Sequence, residues 1–395
     1  MQAMKFIHVT DTHLGKTESQ IREREQDFYK SFEQVIDRAI KEKVDFVIHS
    51  GDLFDTARPP TRTLIVAIKQ LSRLKEAGIP CFIAAGSHDI GVDDTMISVF
   101  EELGLLKNIS SNRYYSVDGN NIVIDGELFN GTFICGIAGR RANIEKTYEK
   151  LKPARMGNYN IFIFHHIISD ISEKFSDIPT SMLPHGFDYY AGGHWHGFFQ
   201  TKYREGIVVY PGSTDYNDLN EMEKDPAKYF CLVTVKDGKT NVHKIEIETR
   251  KIVSLTVNCN DMDAAKVSEE VVKKIPAAGE GKILIIKMNG KLGKGVKSEI
   301  DRTKISDSSK SKGYLYSKIY IGELENPEAP FVSAKRRTPS EIETEYLEKQ
   351  KYQKDEIRVA KQLINLLGKK LKSSETEARV KAATEVVRGF LLENN

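Results

Sequence analysis

The chain has 395 residues, 40% of them hydrophobic and 29% charged, with a formal net charge of +2. That balance suits a globular protein large enough for more than one domain and excludes an intrinsically disordered or fibrous chain. Near-neutral charge decides nothing about nucleic acid, so any basic surface must be local. The four cysteines are scattered without a Cys-x-x-Cys, and Cys81, Cys135 and Cys231 sit in apolar, strand-like runs. They read as buried reduced thiols rather than a disulfide framework. The start, "MQAMKFIHVTDTHLG", has no apolar signal segment. No apolar run approaches the ~20 residues that span a membrane. The expectation is a protein with no membrane partner, cytoplasmic and nucleoid-associated in a prokaryote, or nuclear in a eukaryote.

In chain order, "MKFIHVTD" is a strand that ends at Asp11. Residues 26–43 place Phe28, Phe32, Val35, Ile36, Ala39 and Ile40 on one helical face. "VDFVIHSGD" is the next strand, ending at Asp52. "TRTLIVAIKQLSRLKEAG" is a helix stopped at Gly78, and "IPCFIAAG" is the third strand. Strand and helix alternating through short links predict βαβ units with buried, largely parallel strands. From about residue 113 short apolar runs broken by Asp-Gly and Asn-Gly indicate β-rich segments with turns. "NYNIFIFHH", "FDYYAGGHWH", "GIVVYPGS" and "KYFCLVTVKDGKTNVHKIEI" add further strands. The expected fold class is α/β: a two-sheet β-sandwich flanked by helices over residues 1–250.

A second, small α+β unit is expected over 251–325, where "KIVSLTVNCNDMDAAKVSEEVVKKIP" and "KILIIKMNG" read strand, helix, strand. Within it, 290–313 is rich in glycine, serine and lysine and reads as a mobile basic segment. Residues 326–339 carry prolines and read as a linker. The region 340–395 opens with a capping pattern at Ser340 and Glu343. It continues as a pair of amphipathic helices over roughly 340–368 and 374–393. No internal repeat is visible.

Five strands end in metal-capable groups: Asp11 and His13, Asp52, the "GSHD" of residues 86–89, His165 with His166, and His194 with His196. In open α/β sheets ligands gather beyond the carboxyl ends of the strands, so these residues can converge although far apart in sequence. Singly each is weak. Asp-x-His arises by chance, and a histidine at a strand end is commonly a hydrogen-bonded structural residue. Five in order, each after an apolar run, point to one site. Carboxylate and imidazole without thiolate suit manganese, iron or zinc rather than a closed structural zinc site. A carboxylate shared by two ions holds them ~3.5–4 Å apart, makes a nucleophile from water at neutral pH and neutralises a phosphoryl group. A phosphoester is the substrate this chemistry suits.

These motifs resemble the calcineurin-like metallophosphoesterases, with D-x-H, G-D, G-N-H-D, a lone H and G-H-x-H in that order. Within them "HVTDTHLG", "GDLFDTARPP", "GGHWH" and "YPGS" most resemble the Mre11/SbcD double-strand-break repair nucleases. The motif resemblance covers about residues 4–215. The order and size of the later regions also resemble that family's capping domain and C-terminal helix pair. The resemblance implies a metallophosphoesterase fold and two Mn2+ ions per subunit, with magnesium, iron or zinc as substitutes. It implies one ion held by Asp11, His13, Asp52 and His196. Asp52 would be shared with a second ion held by His165, His194 and the residue at 87. His165 is preferred to His166 because it comes first after the strand. His88 would lie against the phosphate rather than bind metal, and Asp89 would either orient that imidazole or cap the turn. Asp55 would support the first ligands or serve the turn.

The family has asparagine where this chain has Ser87. A serine hydroxyl is shorter and a poorer neutral ligand, so the second ion would bind through water or more weakly. Either a working enzyme tolerates the serine, or activity is reduced by nature or by engineering. Arg58, Arg62, Arg140 and Arg141 lie near predicted strand-end loops and are candidate DNA contacts. The resemblance implies DNA ends as substrate, with 3′-to-5′ exonuclease and single-strand endonuclease activity. It also implies a homodimer, with 64–74 and 95–106 as candidate dimer segments, and docking of the C-terminal helices onto an SMC-like ATPase of the Rad50/SbcC type. Two other readings remain open: a phosphatase or phosphodiesterase of smaller substrates, and a non-catalytic DNA-end scaffold.

Overall fold

The computed structural model describes residues 3–17, 21–91, 95–139, 142–218, 221–222, 227–277, 279–327, 338–349, 352–367 and 376–393. The N-terminal half alternates strand and helix as read: β1 (Met4–Val9), α1 (Arg22–Glu42), β2 (Phe46–His49), α2 (Thr61–Glu76), β3 (Cys81–Ile83), α3 (Ile97–Glu102) and β4 (Lys107–Asn108). β1 to β4 are parallel neighbours in that order. Their apolar runs are continuous because both faces are covered. Ile7, Val9 and Val47 pack under α1 and α2, whereas Phe6, Phe46 and Ile48 face the other way. α1 begins four residues earlier than its apolar pattern, because Arg24 and Glu25 are buried in ion pairs.

β5 (Tyr115–Asp118), β6 (Asn121–Ile124) and β9 (Leu151–Pro153) form a small three-stranded sheet, and the second six-stranded sheet contains β7 (Glu127–Phe129), β8 (Thr132–Ile137), β10 (Tyr159–Phe164), β11 (Tyr189–Gly192), β12 (Phe199–Tyr203) and β13 (Gly206–Tyr210), in the order β12-β13-β11-β10-β8-β7. Its four central strands are parallel. The chain then returns to the first sheet: β14 (Lys228–Lys236) runs antiparallel to β1, and β15 (Lys239–Ile247) pairs with β14. The two six-stranded sheets pack face to face. Phe6, Phe46, Ile48 and Phe82 of one meet Ile134, Ile161, Ile163 and Tyr189 of the other. The expected two-sheet sandwich with helices outside is what forms. All four cysteines are free and buried.

A separate parallel sheet is built from Ile252–Asn258, Ile283–Lys291 and Tyr316–Tyr320, joined through helices Ala264–Lys274 and Arg302–Ser311. The segment read as mobile and basic is therefore ordered over much of its length. Asp301 caps the second helix by accepting from the Lys304 amide, and Ile305 and Ser309, one turn apart, are buried. The lysines around them masked that short buried face.

The C-terminal region has three helices among the described residues, Pro339–Lys349, Lys354–Leu367 and Thr376–Glu393, where two were expected. The first is capped two residues ahead of the expected Ser340 and Glu343. Thr338 and Glu341 exchange side-chain and backbone hydrogen bonds across Pro339, which occupies the first helical position. Much of the expected linker, 328–337, lies outside the described residues. Among the described residues no helix is long and apolar enough to cross a membrane.

Candidate metal centre

The candidate ligands sit at the carboxyl ends of parallel strands in both sheets. Asp11 and His13 follow β1, Asp52 follows β2, Ser87 and His88 follow β3, His165 follows β10, and His194 and His196 follow β11. The loops after β1 and β2 are tied by main-chain bonds: the amides of Asp11, His13 and Leu14 donate to the carbonyls of Gly51, Asp52 and Leu53. Asp11, His13, Asp52 and His194 all have left-handed backbones, with φ of 50°, 40°, 55° and 80°. Aspartate and histidine tolerate that region better than β-branched residues, yet each still carries strain held by the surrounding structure.

Glycines make room. A Cβ on Gly86 would fall 2.2 Å from Asp52 Oδ1, and one on Gly193 2.4 Å from Thr10 Oγ1 and 2.7 Å from His165 Nδ1. A Cβ on Gly139 would meet both the Ser87 amide nitrogen and the His165 ring, which places Ser87 beside His165.

The donor atoms converge. Asp11 Oδ1 lies 3.8 Å from His13 Nε2, 3.9 Å from His165 Nε2 and 3.7 Å from His196 Nε2. Asp52 Oδ2 lies 3.9 Å from His13 Nε2 and 3.0 Å from His165 Nε2, between the two groups. Two triads have donors within 4.8 Å of one another: Asp11, His13 and His196, and Asp52, His165 and His194. A third such group contains His13, Asp52 and His88.

Surrounding hydrogen bonds fix which atom of each ligand faces inward. His165 Nδ1–H donates to the Ser50 carbonyl at 2.7 Å, leaving Nε2 for the site. Asp11 Oδ2 accepts from Thr10 Oγ1 at 2.7 Å and the His194 amide at 3.0 Å, leaving Oδ1. Asp52 Oδ1 accepts from the His88 amide at 2.8 Å. His196 Nδ1 pairs with Glu221, whose other oxygen accepts from Lys228 Nζ at 3.2 Å and the Asn217 amide at 2.9 Å. His13 Nδ1 lies 3.4 Å from Asp55, which also holds Lys16 at 3.1 Å. Below the ligands, His49 Nδ1 accepts from the Gly51 amide and its Nε2–H donates to Thr12 Oγ1. Burial pushes this ring's pKa down to about 3, so it stays neutral.

Asp11 and Asp52 are 0% and 1% exposed, two buried carboxylates in one site. Burial works against charge on His165, but Asp52 and Asp11 outweigh it and raise its pKa to about 10. Burial also opposes the Asp52 charge, and His165 nonetheless holds that carboxyl well below the usual range. His13 is lowered by burial despite its acidic neighbours. Glu221 is held down at about 2 against burial by His196 and Lys228, and His196 is raised against burial by Glu221. A divalent cation fits this set. Asp11 Oδ1 and His13 Nε2 are buried and lack hydrogen-bond partners among the described residues, which is costly unless a cation engages them.

Of the two roles expected for Asp89, orienting His88 or capping the turn, the hydrogen bonds match the turn cap. Asp89 accepts from the amides of Leu53, Phe54 and Gly86 at 3.2, 3.0 and 2.9 Å. His88 is exposed, and its Nδ1–H donates to the Asp55 carbonyl at 2.6 Å. Of the arginines, Arg58 is exposed, whereas Arg62 is spent on Glu25 through Nε at 2.7 and 3.0 Å. Arg140 and Arg141 lie outside the described residues. Glu221 and Lys228 were not singled out in the sequence: an acid in "NDLNEMEKD" and a lysine opening a strand carry no local signature.

Residues 4–198 match the calcineurin-like phosphoesterase family. Several relatives carry the name DNA double-strand break repair protein Mre11. The Methanococcus maripaludis protein is 34% identical over 280 residues, 68% of this chain and 73% of the relative. The Sulfurisphaera tokodaii protein is 34% identical over 270 residues, 66% and 67% of the two chains. The Archaeoglobus fulgidus protein is 26% identical over 404 residues, 95% and 88% of the two chains.

Proposed function

This chain belongs to the Mre11 family of DNA double-strand break repair proteins, within the calcineurin-like phosphoesterases, and from that premise we propose that it is a two-metal nuclease that hydrolyses DNA phosphodiesters. The observation that carries the reading is Asp52 Oδ2 lying 3.9 Å from His13 Nε2 and 3.0 Å from His165 Nε2, between two histidine-rich triads. That is where a carboxylate shared by two ions belongs. Asp11, His13, Asp52 and His196 would hold one ion. Asp52, His165, His194 and Ser87 would hold the other, Ser87 directly or through water. The ions, manganese in this reading, supply Lewis acidity toward phosphoryl oxygens and a nucleophile drawn from water.

The chain's own residues do the rest. Glu221 and the Ser50 carbonyl fix the rings of His196 and His165. With Nδ1–H committed to the Asp55 carbonyl, His88 would act with a proton on each ring nitrogen, donating Nε2–H to the scissile phosphate or to the leaving oxygen. As the P–O bond breaks, the leaving oxygen needs a proton, and His88 is the exposed group beside the site that can carry one.

In the same reading, residues 251–325 form a cap over DNA, 326–339 a linker, and 340–395 the docking region for an SMC-like ATPase. Ile364, Val380 and Val387 of the terminal helices are 43%, 59% and 39% exposed, which leaves apolar surface for that partner. Ile65 of α2, Val99 of α3 and Leu103 at the end of α3 are 59%, 49% and 48% exposed and support a homodimer through these helices. Arg58 remains a candidate phosphate contact. Arg62 would first have to release Glu25.

The test is cleavage of labelled single- and double-stranded DNA across a manganese titration by the natural chain, Ser87→Asn and Asp52→Asn. The natural chain should cut, Ser87→Asn should cut at lower manganese, and Asp52→Asn should not cut. If neither of the first two cuts DNA while a chromogenic phosphoester is hydrolysed, the phosphatase reading replaces this one. DNA binding that survives chelation, with no hydrolysis of any substrate, favours the scaffold.

A further inference from the structure

His196 differs from the other candidate ligands in what holds it. His165 and Asp11 are oriented by Ser50, Thr10 and His194, all at strand ends of the sandwich. His196 is oriented by Glu221, from a segment that follows β13. Both Glu221 oxygens are engaged: one by His196, the other by the Asn217 amide and Lys228 Nζ. Lys228, 2% exposed, also donates to the His196 carbonyl at 3.2 Å and lies 5.0 Å above the Tyr216 ring.

The same segment is the seat of the cap. Tyr216 and Met222 bracket Asn217 and Glu221 in sequence, and both are buried against Ile283 and Ile285 of the cap sheet. Ile252, Tyr316 and Tyr320 close the cluster. The segment's other side is pinned by Arg24, which donates to Asp215 at 2.8 Å and to the Tyr216 carbonyl at 2.9 Å.

We propose that Glu221 is the positioning residue for His196, and that the cap, through Tyr216 and Met222, sets how firmly Glu221 holds that ring. Seating of the cap then controls the affinity of the ion bound by Asp11, His13 and His196, and leaves the ion at His165 and His194 alone. The inference rests on the two-metal reading above.

The test is manganese binding to the metal-free full-length chain, followed by calorimetry and electron paramagnetic resonance. Glu221→Ala should weaken one ion by about tenfold to a hundredfold, the range for removing a residue that orients a ligand. The exchange-coupled pair signal should give way to that of a single ion. Glu221→Gln, which keeps an acceptor for His196 Nδ1–H, should recover part of the loss. Met222→Ala should weaken the same ion severalfold with Glu221 intact. If Glu221→Ala does not fold, as judged by its metal-free melting curve, the other two variants carry the test. Unchanged binding in the Glu221 variants, or equal weakening of both ions, overturns the positioning role. Unchanged binding in Met222→Ala overturns the link to the cap. Failure of the natural chain to bind manganese overturns the two-metal reading instead.

Discussion

Replacing Arg24 by methionine should be among the most damaging single changes outside the candidate metal centre. Its guanidinium is fully buried, donating to Asp27 at 2.6 Å, Asp215 at 2.8 Å and the Tyr216 carbonyl at 2.9 Å. Methionine fills much of the volume, so the loss is mainly electrostatic. Asp27 keeps a two-pronged partner in Arg250, at 2.7 Å through each of Nε and an NH2. Asp215, 0% exposed, keeps among the described residues the Ser31 hydroxyl and the Tyr216 amide, two neutral donors for a full charge. Stranding one buried charge costs about 3–5 kcal/mol. At roughly 2–4 °C per kcal/mol for a domain of this size, the melting temperature should fall by about 6–20 °C. The assay is urea unfolding of the metal-free chain with Arg24→Met, Asp215→Asn and the double variant. The double variant should be less damaged than the two single losses added together, because neither charge is then stranded. A loss below about 1 kcal/mol for Arg24→Met, or strict additivity in the cycle, would refute the argument that the pair is electrostatically coupled.

His88→Ala should leave manganese stoichiometry unchanged in calorimetry while single-turnover cleavage falls by about 10²–10⁴-fold, the usual weight of a positioned acid or base. Loss of an ion would instead make His88 a ligand. Asp89→Ala should cost about 3 kcal/mol in urea unfolding, about one per orphaned amide of Leu53, Phe54 and Gly86. Asp89→Asn, which keeps a carbonyl oxygen, should cost less. Neither should move the pH profile of cleavage, and a displaced profile would restore a link from Asp89 to His88.

Features that depend on periodicity or on a backbone turn were legible in the sequence. β1, β2 and β3 showed as apolar runs because both faces are covered, and the candidate ligands showed because each follows such a run. Features that depend on a partner distant in sequence were not. Asp89 looked like a neighbour for His88 because they are adjacent in the chain, yet its carboxylate turns back to Leu53 and Phe54, 36 and 35 residues away. Glu221 acquires its meaning only when β13 brings the following segment beside His196. The helix Arg302–Ser311 was hidden because two buried positions, Ile305 and Ser309, are a thin signal among lysines. The beginning of α1 was missed for the opposite reason: buried charges look like surface until their partners are known.

The return of β14 to β1 has a consequence for how the molecule is made. β1 is synthesised first, but its pairing on one side, His8 with Cys231 and Phe6 with Val233, waits for strands more than 200 residues later. Every candidate ligand has left the ribosome by then, while the central strand of the first sheet still has an open edge. Lys228, which steadies Glu221, is the first residue of the very strand that covers that edge. Closing the sheet and completing the support of His196 are thus one event in synthesis. A nascent or truncated chain that has not closed the sheet would lack that support, so a capacity to cut DNA would appear only once the sandwich is whole.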